Sequence, residues 1–441
     1  MKSIKVGLRK MMICMPGALF AMAAFSQGDV QWKPGTNIQR TMRLLASSTK
    51  EHPHHVKVLF YGQSIAKQEW WKDVAADLHR RFPYADLECE NRAIGGFAAN
   101  LLKKAVQHDV YASYPDLIIL HDYGGEPDYE ELIHNIRSHV ASEMLLQSDH
   151  YVDTSPGAQA WHDQHAGRLR NLAQTQGLGF VDIRTAWKAY LAEHGLKPEA
   201  LLKDGVHLNE RGCALMTSLV NAALVVDPVA AVDNSLCRAS RPRWSHGRLT
   251  LRFEGNRVDL TAPAGLGAAV RVLIDGRSPS YFPELYQTER PSDCHYCDVP
   301  AVFHVDSQVP KLVENWTLTL SGFSQDVTSW HFKLEGDKTG PDGEGTNTEL
   351  FVSNSRRVVI SPDSWYVHEA FEITKQRPPE GFTVRWKVTP QFIDRLQATD
   401  KGTITLAKGL ANGPHLLELV ADEGYPHPVQ IDVYRPPLIT H

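Results

Sequence analysis

Between residues 56 and 226 short apolar runs alternate with segments of helical spacing, and this alternation constrains the fold more than any other feature of the chain. Val56-Lys-Val-Leu-Phe-Tyr61 closes on Gly62, and Leu117-Ile-Ile-Leu120 is apolar throughout. Runs of this kind fit strands covered on both faces. Further strands are expected over 86–94, 144–146 and 179–182. Helices are expected over 70–82, 98–106, 129–141, 159–176, 186–194 and 209–225, from apolar residues three and four apart. In the first of them Trp71, Val74, Ala75, Leu78 and Phe82 recur before Pro83, which puts Trp71 in the core and leaves Trp70 half exposed. The βαβα rhythm predicts an α/β fold, a doubly wound and mainly parallel sheet with helices on both faces.

After Asp227 the texture changes. Residues 227–246, rich in Pro, Ser and Arg, read as a linker. Over 247–441 the candidate strands are short and alternating: 249–253, 257–260, 269–274, 316–320, 329–334, 358–360, 383–388, 403–406, 415–420 and 429–433. Turn residues punctuate them, as in Glu254-Gly255-Asn256 and Asp275-Gly276, and the spacing predicts an all-β, jelly-roll-like sandwich. The Gly- and Asp-rich stretch 335–347 reads as a long loop, with Asp337 and Asp342 as solvated charges. Tyr281-Phe282 and Trp365-Tyr366 lie beside turn residues and are the aromatic pairs singled out for ligand contact, at most one member of each being exposed on a strand.

Lys2, Lys5, Arg9 and Lys10 precede an apolar run over 11–25, and Ala24-Phe25-Ser26 offers small residues for cleavage. This is the pattern of a signal peptide over 1–26, followed by an N-terminal extension over 27–55. The run is shorter than the ~20 residues that span a bilayer, so a secreted or periplasmic protein without stable membrane insertion is expected. Ile13 before Cys14 is not the small residue a lipoprotein site requires. Of the six cysteines, Cys89, Cys213, Cys237, Cys294 and Cys297 lie beyond the leader, an odd number that leaves at least one without a partner in the chain. Cys294-His295-Tyr296-Cys297 sits among Pro, Ser and Asp rather than at a helix start, which favours a local or longer-range disulfide over a redox pair or half a zinc site. Lys and Arg number 46 against 51 Asp and Glu, a formal charge of −5 with no basic stripe, and nucleic acid is excluded as a main partner.

In open α/β sheets ligands bind beyond the carboxyl ends of the strands. Those ends carry Gly62-Gln63-Ser64, Ile94-Gly95-Gly96 and His121-Asp122-Tyr123-Gly124, and Asp204-Gly205-Val206-His207 precedes the last helix. Ser64 needs a base to take its proton; His207 titrates in the right range, and Asp204 is placed to hold the other ring nitrogen. Amides of Ser64 and Gly96 suit an oxyanion. Alone, Ser64 or Asp204 reads equally as a helix cap. Their occurrence at successive strand ends favours a site.

These blocks resemble those of the SGNH (GDSL-like) hydrolases over 56–226. Gly62-Gln63-Ser64 is similar to the nucleophile block, with Gln where many members have Asp, a variant familiar in carbohydrate-esterase branches. Asn91-Arg-Ala-Ile-Gly-Gly96 matches the second block and Asp204-Gly-Val-His207-Leu-Asn the fifth. The third block normally reads Gly-x-Asn-Asp; His121-Asp122-Tyr123-Gly124 stands there instead. That leaves the Tyr123 hydroxyl, backbone amides near Gly124 and Gly125, or an oxyanion hole of two donors. The resemblance implies a serine esterase removing acetyl or similar small acyl groups from carbohydrate through an acyl-enzyme, with Ser64, His207 and Asp204 catalytic. Ser64, Gly96 and Tyr123 would form the oxyanion hole, and Gln63, Trp70, His121 and Asp122 would contact substrate. It implies no metal or organic cofactor, and an accessory β-sandwich. The alternatives are an O-acyltransferase with the same triad, or a non-catalytic carbohydrate-binding protein on this scaffold.

Overall fold

The computed structural model describes residues 32–152, 155–292, 299–424 and 426–439. The leader and the Cys294/Cys297 pair lie outside them; Cys89, Cys213 and Cys237 are free thiols. No helix among the described residues is long and apolar enough to cross a membrane.

Five parallel strands form the first sheet: β1 (His55–Gly62), β2 (Asp86–Asn91), β3 (Leu117–His121), β4 (Glu143–Gln147) and β5 (Gly179–Val181), in the order β2-β1-β3-β4-β5. The α/β expectation holds. The order reverses between β1 and β3, and such a switch point opens a crevice at the carboxyl ends of the strands. Side chains alternate between two cores: Val56, Val58, Phe60, Leu117, Ile119 and Leu145 face one helix layer, while Leu59, Tyr61, Ile118, Leu120, Met144 and Leu146 face the other. That two-sided burial is why β3 reads as an unbroken apolar run and β1 as one interrupted only by Lys57.

The stretch expected as an extension contains α1 (Gln39–Ser47), which packs against one face of the sheet. Ile38, Met42 and Leu45 enter the core, and burying the last two side chains stabilises by about 1.5–3 kcal/mol each. Glu143, at the start of β4, accepts from the Arg40 and Thr41 amides at 2.9 and 2.8 Å, satisfying donors of the first turn. Next come α2 (Ser64–Lys67), α3 (Trp70–Arg81) and α4 (Ala99–Val106), the last running into a π-helical turn over Gln107–Tyr111. Then follow α5 (Glu126–His139), α6 (Pro156–Gln176), α7 (Ile183–Glu193) and α8 (Glu210–Ala223).

The β-rich half, expected to be built of strands, pairs them antiparallel and forms two main sheets. One has six strands in the order Arg395–Leu396, Val270–Ile274, Gly402–Ala421, Arg248–Ala262, Gln430–Tyr434 and Cys237–Ser240. The other has five, in the order Gly340–Thr346, His331–Gly336, Asn315–Ser321, Phe382–Pro390 and Tyr286–Thr288. Each carries its own apolar cluster.

Three local expectations fail here for identifiable reasons. Glu254-Gly255-Asn256 is not a turn: Arg248–Ala262 runs through it as one strand. Gly255 is there because a Cβ would lie 2.3 Å from the Tyr434 carbonyl, at φ +156°, opposite a break in register between Lys408 and Gly413. Asp275-Gly276, by contrast, is a two-residue hairpin turn with both φ positive. The expected loop 335–347 is mostly a hairpin arm: Gly340–Thr346 pairs with His331–Gly336, and a Cβ on Gly345 would press to 2.8 Å on the rings of Phe332 and Phe351. Asp342 within it is buried, accepting from the amide and hydroxyl of Ser355 at 2.8 and 2.6 Å. Of the two aromatic pairs, Tyr281 is exposed, whereas Trp365 and Tyr366 are both buried.

Candidate active site

Gly62 ends β1 where β1 and β3 approach so closely that a Cβ would sit 1.9 Å from the His121 carbonyl oxygen. The chain then turns into α2. Its N-cap is Gln63, whose Oε1 accepts from the Ile65 amide at 3.0 Å, so Ser64 is released from any capping duty. Asp204 is likewise free of the last helix, which Asn209 caps by accepting from the Gly212 amide at 3.0 Å.

Ser64 Oγ lies 3.0 Å from His207 Nε2, across 143 residues of chain. His207 Nδ1 lies 3.0 Å from Asp204 Oδ2. Asp204 Oδ1 also accepts the amides of His207 and Val206 at 2.7 and 2.8 Å, and these bonds hold its carboxyl down at about 2. An ionised Asp204 fixes the imidazole proton on Nδ1, and Nε2 faces the hydroxyl as an acceptor.

On its other side Ser64 Oγ donates to Gln63 Oε1 at 2.8 Å. Because that oxygen also takes the Ile65 amide proton, the orientation of the Gln63 amide is set, and its Nε2 donates to His121 Nδ1 at 3.2 Å. Asp204, His207, Ser64, Gln63 and His121 therefore form one hydrogen-bonded row. A single hydroxyl proton faces two acceptors in it, the imidazole and the Gln63 carbonyl.

Two side chains that the sequence did not single out hold the His207 loop. Gln68, one turn after Ser64, donates through Nε2 to the Leu208 carbonyl and accepts the Leu208 amide through Oε1, both at 2.9 Å. His150, beyond β4, donates through Nε2 to the Val206 carbonyl at 2.7 Å. The i, i+4 spacing from Ser64 is a signal that marks Gln68; nothing in the sequence marks His150.

The second strand end brings Ile94, Gly95 and Gly96 alongside. The Ile94 amide donates to the Gly62 carbonyl at 3.0 Å, Asn91 Nδ2 donates to the Ala66 carbonyl at 2.7 Å, and a Cβ on Gly95 would lie 3.9 Å from that of Ser64. Gly96 is exposed with φ +82°, and among the described residues neither its amide nor that of Ser64 has a backbone acceptor.

The four residues expected to contact substrate are all withdrawn from the surface: Gln63, Trp70, His121 and Asp122 are each 1% exposed. Trp70 and Trp71 exchange their expected places. Helix α3 starts at Trp70, whose indole N–H donates to the Ile65 carbonyl at 2.6 Å and closes the Ser64 turn from below, leaving Trp71 half-buried. Among the described residues neither side-chain oxygen of Asp122 has a well-formed hydrogen bond, and burial, only partly offset by the neighbouring Tyr123 amide, pushes its carboxyl well above the carboxylate range. Tyr123 is exposed, with its carbonyl taken by the Ala99 amide at 3.1 Å; no hydrogen bond among the described residues ties its hydroxyl to Ser64 or His207. Gly95, Gly96, Tyr123 and Val206 are among the exposed residues of the three loops that surround Ser64. Among the described residues no cluster of three or more His, Cys, Asp or Glu could hold a metal ion.

No family model and no curated protein matches the chain. Among solved structures, the chain is similar to the acetylxylan esterase Axe2 from Geobacillus stearothermophilus, at 20% identity over 42% of this chain and 100% of that one, with a TM-score of 0.35. It is also similar to LAE5, an alpha/beta hydrolase from the metagenome of Lake Arreo, Spain, at 19% identity over 40% of this chain and 98% of that one, with a TM-score of 0.36.

Proposed function

We propose that the protein is a serine esterase that removes acetyl or similarly small acyl groups from carbohydrate outside the cytoplasm. The observation that carries the reading is the continuous contact of Asp204, His207 and Ser64, at 3.0 Å on each side of the imidazole. As Ser64 Oγ attacks the ester carbonyl, its proton passes to His207 Nε2, and Asp204 stabilises the imidazolium. The carbonyl oxygen takes up the negative charge, facing the amides of Ser64 and Gly96. Collapse expels the sugar hydroxyl, which receives the proton from Nε2 and leaves Ser64 acylated. Water then attacks the acyl carbon, gives a proton to the same nitrogen, and releases the carboxylic acid as Ser64 recovers its proton. Exposure of Gly95, Gly96 and Val206 suits an acyl group presented on a large substrate. The carbohydrate assignment is supported by the Gly-Gln-Ser block and the leader-like N-terminus.

The test is acetate release from p-nitrophenyl acetate and from a panel of acetylated polysaccharides, with Ser64→Ala and His207→Ala as controls. Wild type is expected to exceed either variant by at least about 10³-fold in kcat/KM. Equal background rates for all three, with Ser64 unreactive toward a fluorophosphonate probe, would overturn the assignment. Transfer of acetyl to added glycan in place of free acetate would move it to acyl transfer.

A further inference from the structure

We propose that the β-rich half positions the oxyanion loop, so that Phe303, Tyr366 and Arg290 are positioning residues for the Gly96 amide; this rests on the esterase reading above. Gly95 and Gly96 are exposed, and among the described residues no atom beyond the two chain neighbours lies within 4 Å of a Cβ built on Gly96. Two adjacent glycines leave the backbone many orientations, so the direction of the Gly96 amide depends on what anchors the residues either side. One anchor belongs to the α/β half: the Ile94 amide on the Gly62 carbonyl, with Asn91 tied to the nucleophile turn through the Ala66 carbonyl.

The other anchor is supplied by the β-rich half. Phe97, next after Gly96, is buried against Tyr366 at 5.0 Å and 68° and against Phe303 at 6.2 Å and 55°, and those two rings meet at 5.3 Å. Phe303 and Tyr366 are themselves fixed by backbone bonds, from the Phe303 amide to the Ser364 carbonyl at 2.7 Å and from the Tyr366 amide to the Ala301 carbonyl at 3.0 Å. Both belong to the same apolar core as Ile94, Phe97 and Tyr61, so the cluster continues from one half into the other.

A second contact reaches the start of the loop independently. Arg290 donates to the Arg92 carbonyl at 3.0 Å and pairs with Asp109 at 2.7 Å. Asp109 is fully buried in the π-helical turn that follows α4 and accepts from the Tyr61 hydroxyl at 3.3 Å. The β-rich half therefore grips the loop at Arg92 and at Phe97, the α/β half grips it at Ile94, and the glycine pair spans the gap. Preorganised donors matter most where charge develops, so loosening one grip should cost turnover more than binding.

The experiment uses the full chain. Tyr366→Leu, Phe303→Leu, Arg290→Gln and the conservative Tyr366→Phe are compared with wild type in kcat and KM on p-nitrophenyl acetate and in amide hydrogen exchange. Tyr366→Leu and Arg290→Gln are expected to lower kcat by about 10- to 10²-fold at unchanged KM, short of the 10²–10³-fold of losing an oxyanion donor outright. Exchange should rise over 92–98 and stay unchanged over 203–208, and Tyr366→Phe should restore both. Wild-type kcat in Tyr366→Leu and Arg290→Gln, or exchange that rises uniformly along the chain, would overturn the proposal. If Tyr366→Leu fails to fold, Arg290→Gln decides through its separate contact. If wild type has no esterase activity the functional reading falls, yet exchange over 92–98 still decides whether the β-rich half holds the loop.

Discussion

Gln68 holds Leu208 by both of its backbone groups, donating to the carbonyl and accepting the amide at 2.9 Å each. Gln68 follows α2, which begins at Ser64, and Leu208 follows His207, so this carboxamide joins the Ser64 turn to the His207 loop. The Ser64–His207 distance is thereby set by a short rigid bracket rather than by the long chain between them. Gln68→Met keeps the volume and removes both bonds. It is expected to lower kcat by about 10- to 10²-fold through loss of orientation, with KM unchanged. Leaving the buried Leu208 groups unpaired should also reduce unfolding free energy by about 1–3 kcal/mol in urea titration. A variant with wild-type kcat would show that the loop is held by other contacts.

Asp204→Asn tests the proton arrangement. Asp204 Oδ1 takes the amides of Val206 and His207, so an asparagine is obliged to place its oxygen there and its NH₂ toward His207 Nδ1. Nδ1 then becomes the acceptor, the ring proton moves to Nε2, and Ser64 loses its base. Turnover is expected to fall by about 10³–10⁴-fold with the thermal midpoint nearly unchanged, measured by steady-state kinetics and calorimetry. A loss of tenfold or less would mean that Asp204 only shapes the loop.

The apolar runs of β1 and β3 were legible because both faces of those strands are buried, and the Ser64, Asp204 and His207 blocks because each follows or precedes a regular element closely. Gln63 and His121 were expected to contact substrate, and their burial was not legible: each is bonded to the other, 58 residues apart in sequence. Trp70 and Trp71 were exchanged because they lie four and three residues before Val74, and helical spacing alone does not say which of the two turns inward. The Trp70 bond to the Ile65 carbonyl decides that, and it is a tertiary fact. Gly255 and Gly345 misled in the same way. Each glycine marks a close approach, to a neighbouring carbonyl or a ring, rather than a turn, and composition alone cannot separate the two.

Acid stability follows from the buried histidines. Burial lowers His108 to about 3 and His121 and His150 to about 4, so all three are neutral in the folded protein near pH 5. Unfolded histidine titrates at about 6.5, so below that pH the unfolded chain binds more protons than the folded one and stability falls as pH falls. The loss runs from about pH 6.5 down to about 4, below which His121 and His150 are protonated in both states. Asp204, held at about 2, contributes stability that is lost only below about pH 4, a separate window. The thermal midpoint is expected to drop steeply between pH 6.5 and 4, and His121→Gln to flatten that slope. An unchanged slope in the variant would remove His121 from the account.

Gly62 and Gly96 both have positive φ, and alanine at the two positions should fail differently. At Gly62 a methyl would lie 1.9 Å from the His121 carbonyl oxygen and 2.7 Å from its carbon, which forces β1 and β3 apart. Backbone atoms cannot yield as a flexible side chain does, so Gly62→Ala is expected to lose more than about 3 kcal/mol of stability, or to give no native protein. At Gly96 the methyl meets nothing within 4 Å, and only the φ of +82° is unfavourable, at about 1–2 kcal/mol. The loop should relieve that strain by turning, which redirects the amide. Gly96→Ala should therefore stay folded by circular dichroism and urea titration while kcat falls by about 10²–10³-fold, as for a lost oxyanion donor. A folded Gly96→Ala protein of full activity would remove this amide from the oxyanion site and leave Ser64 to supply the donor.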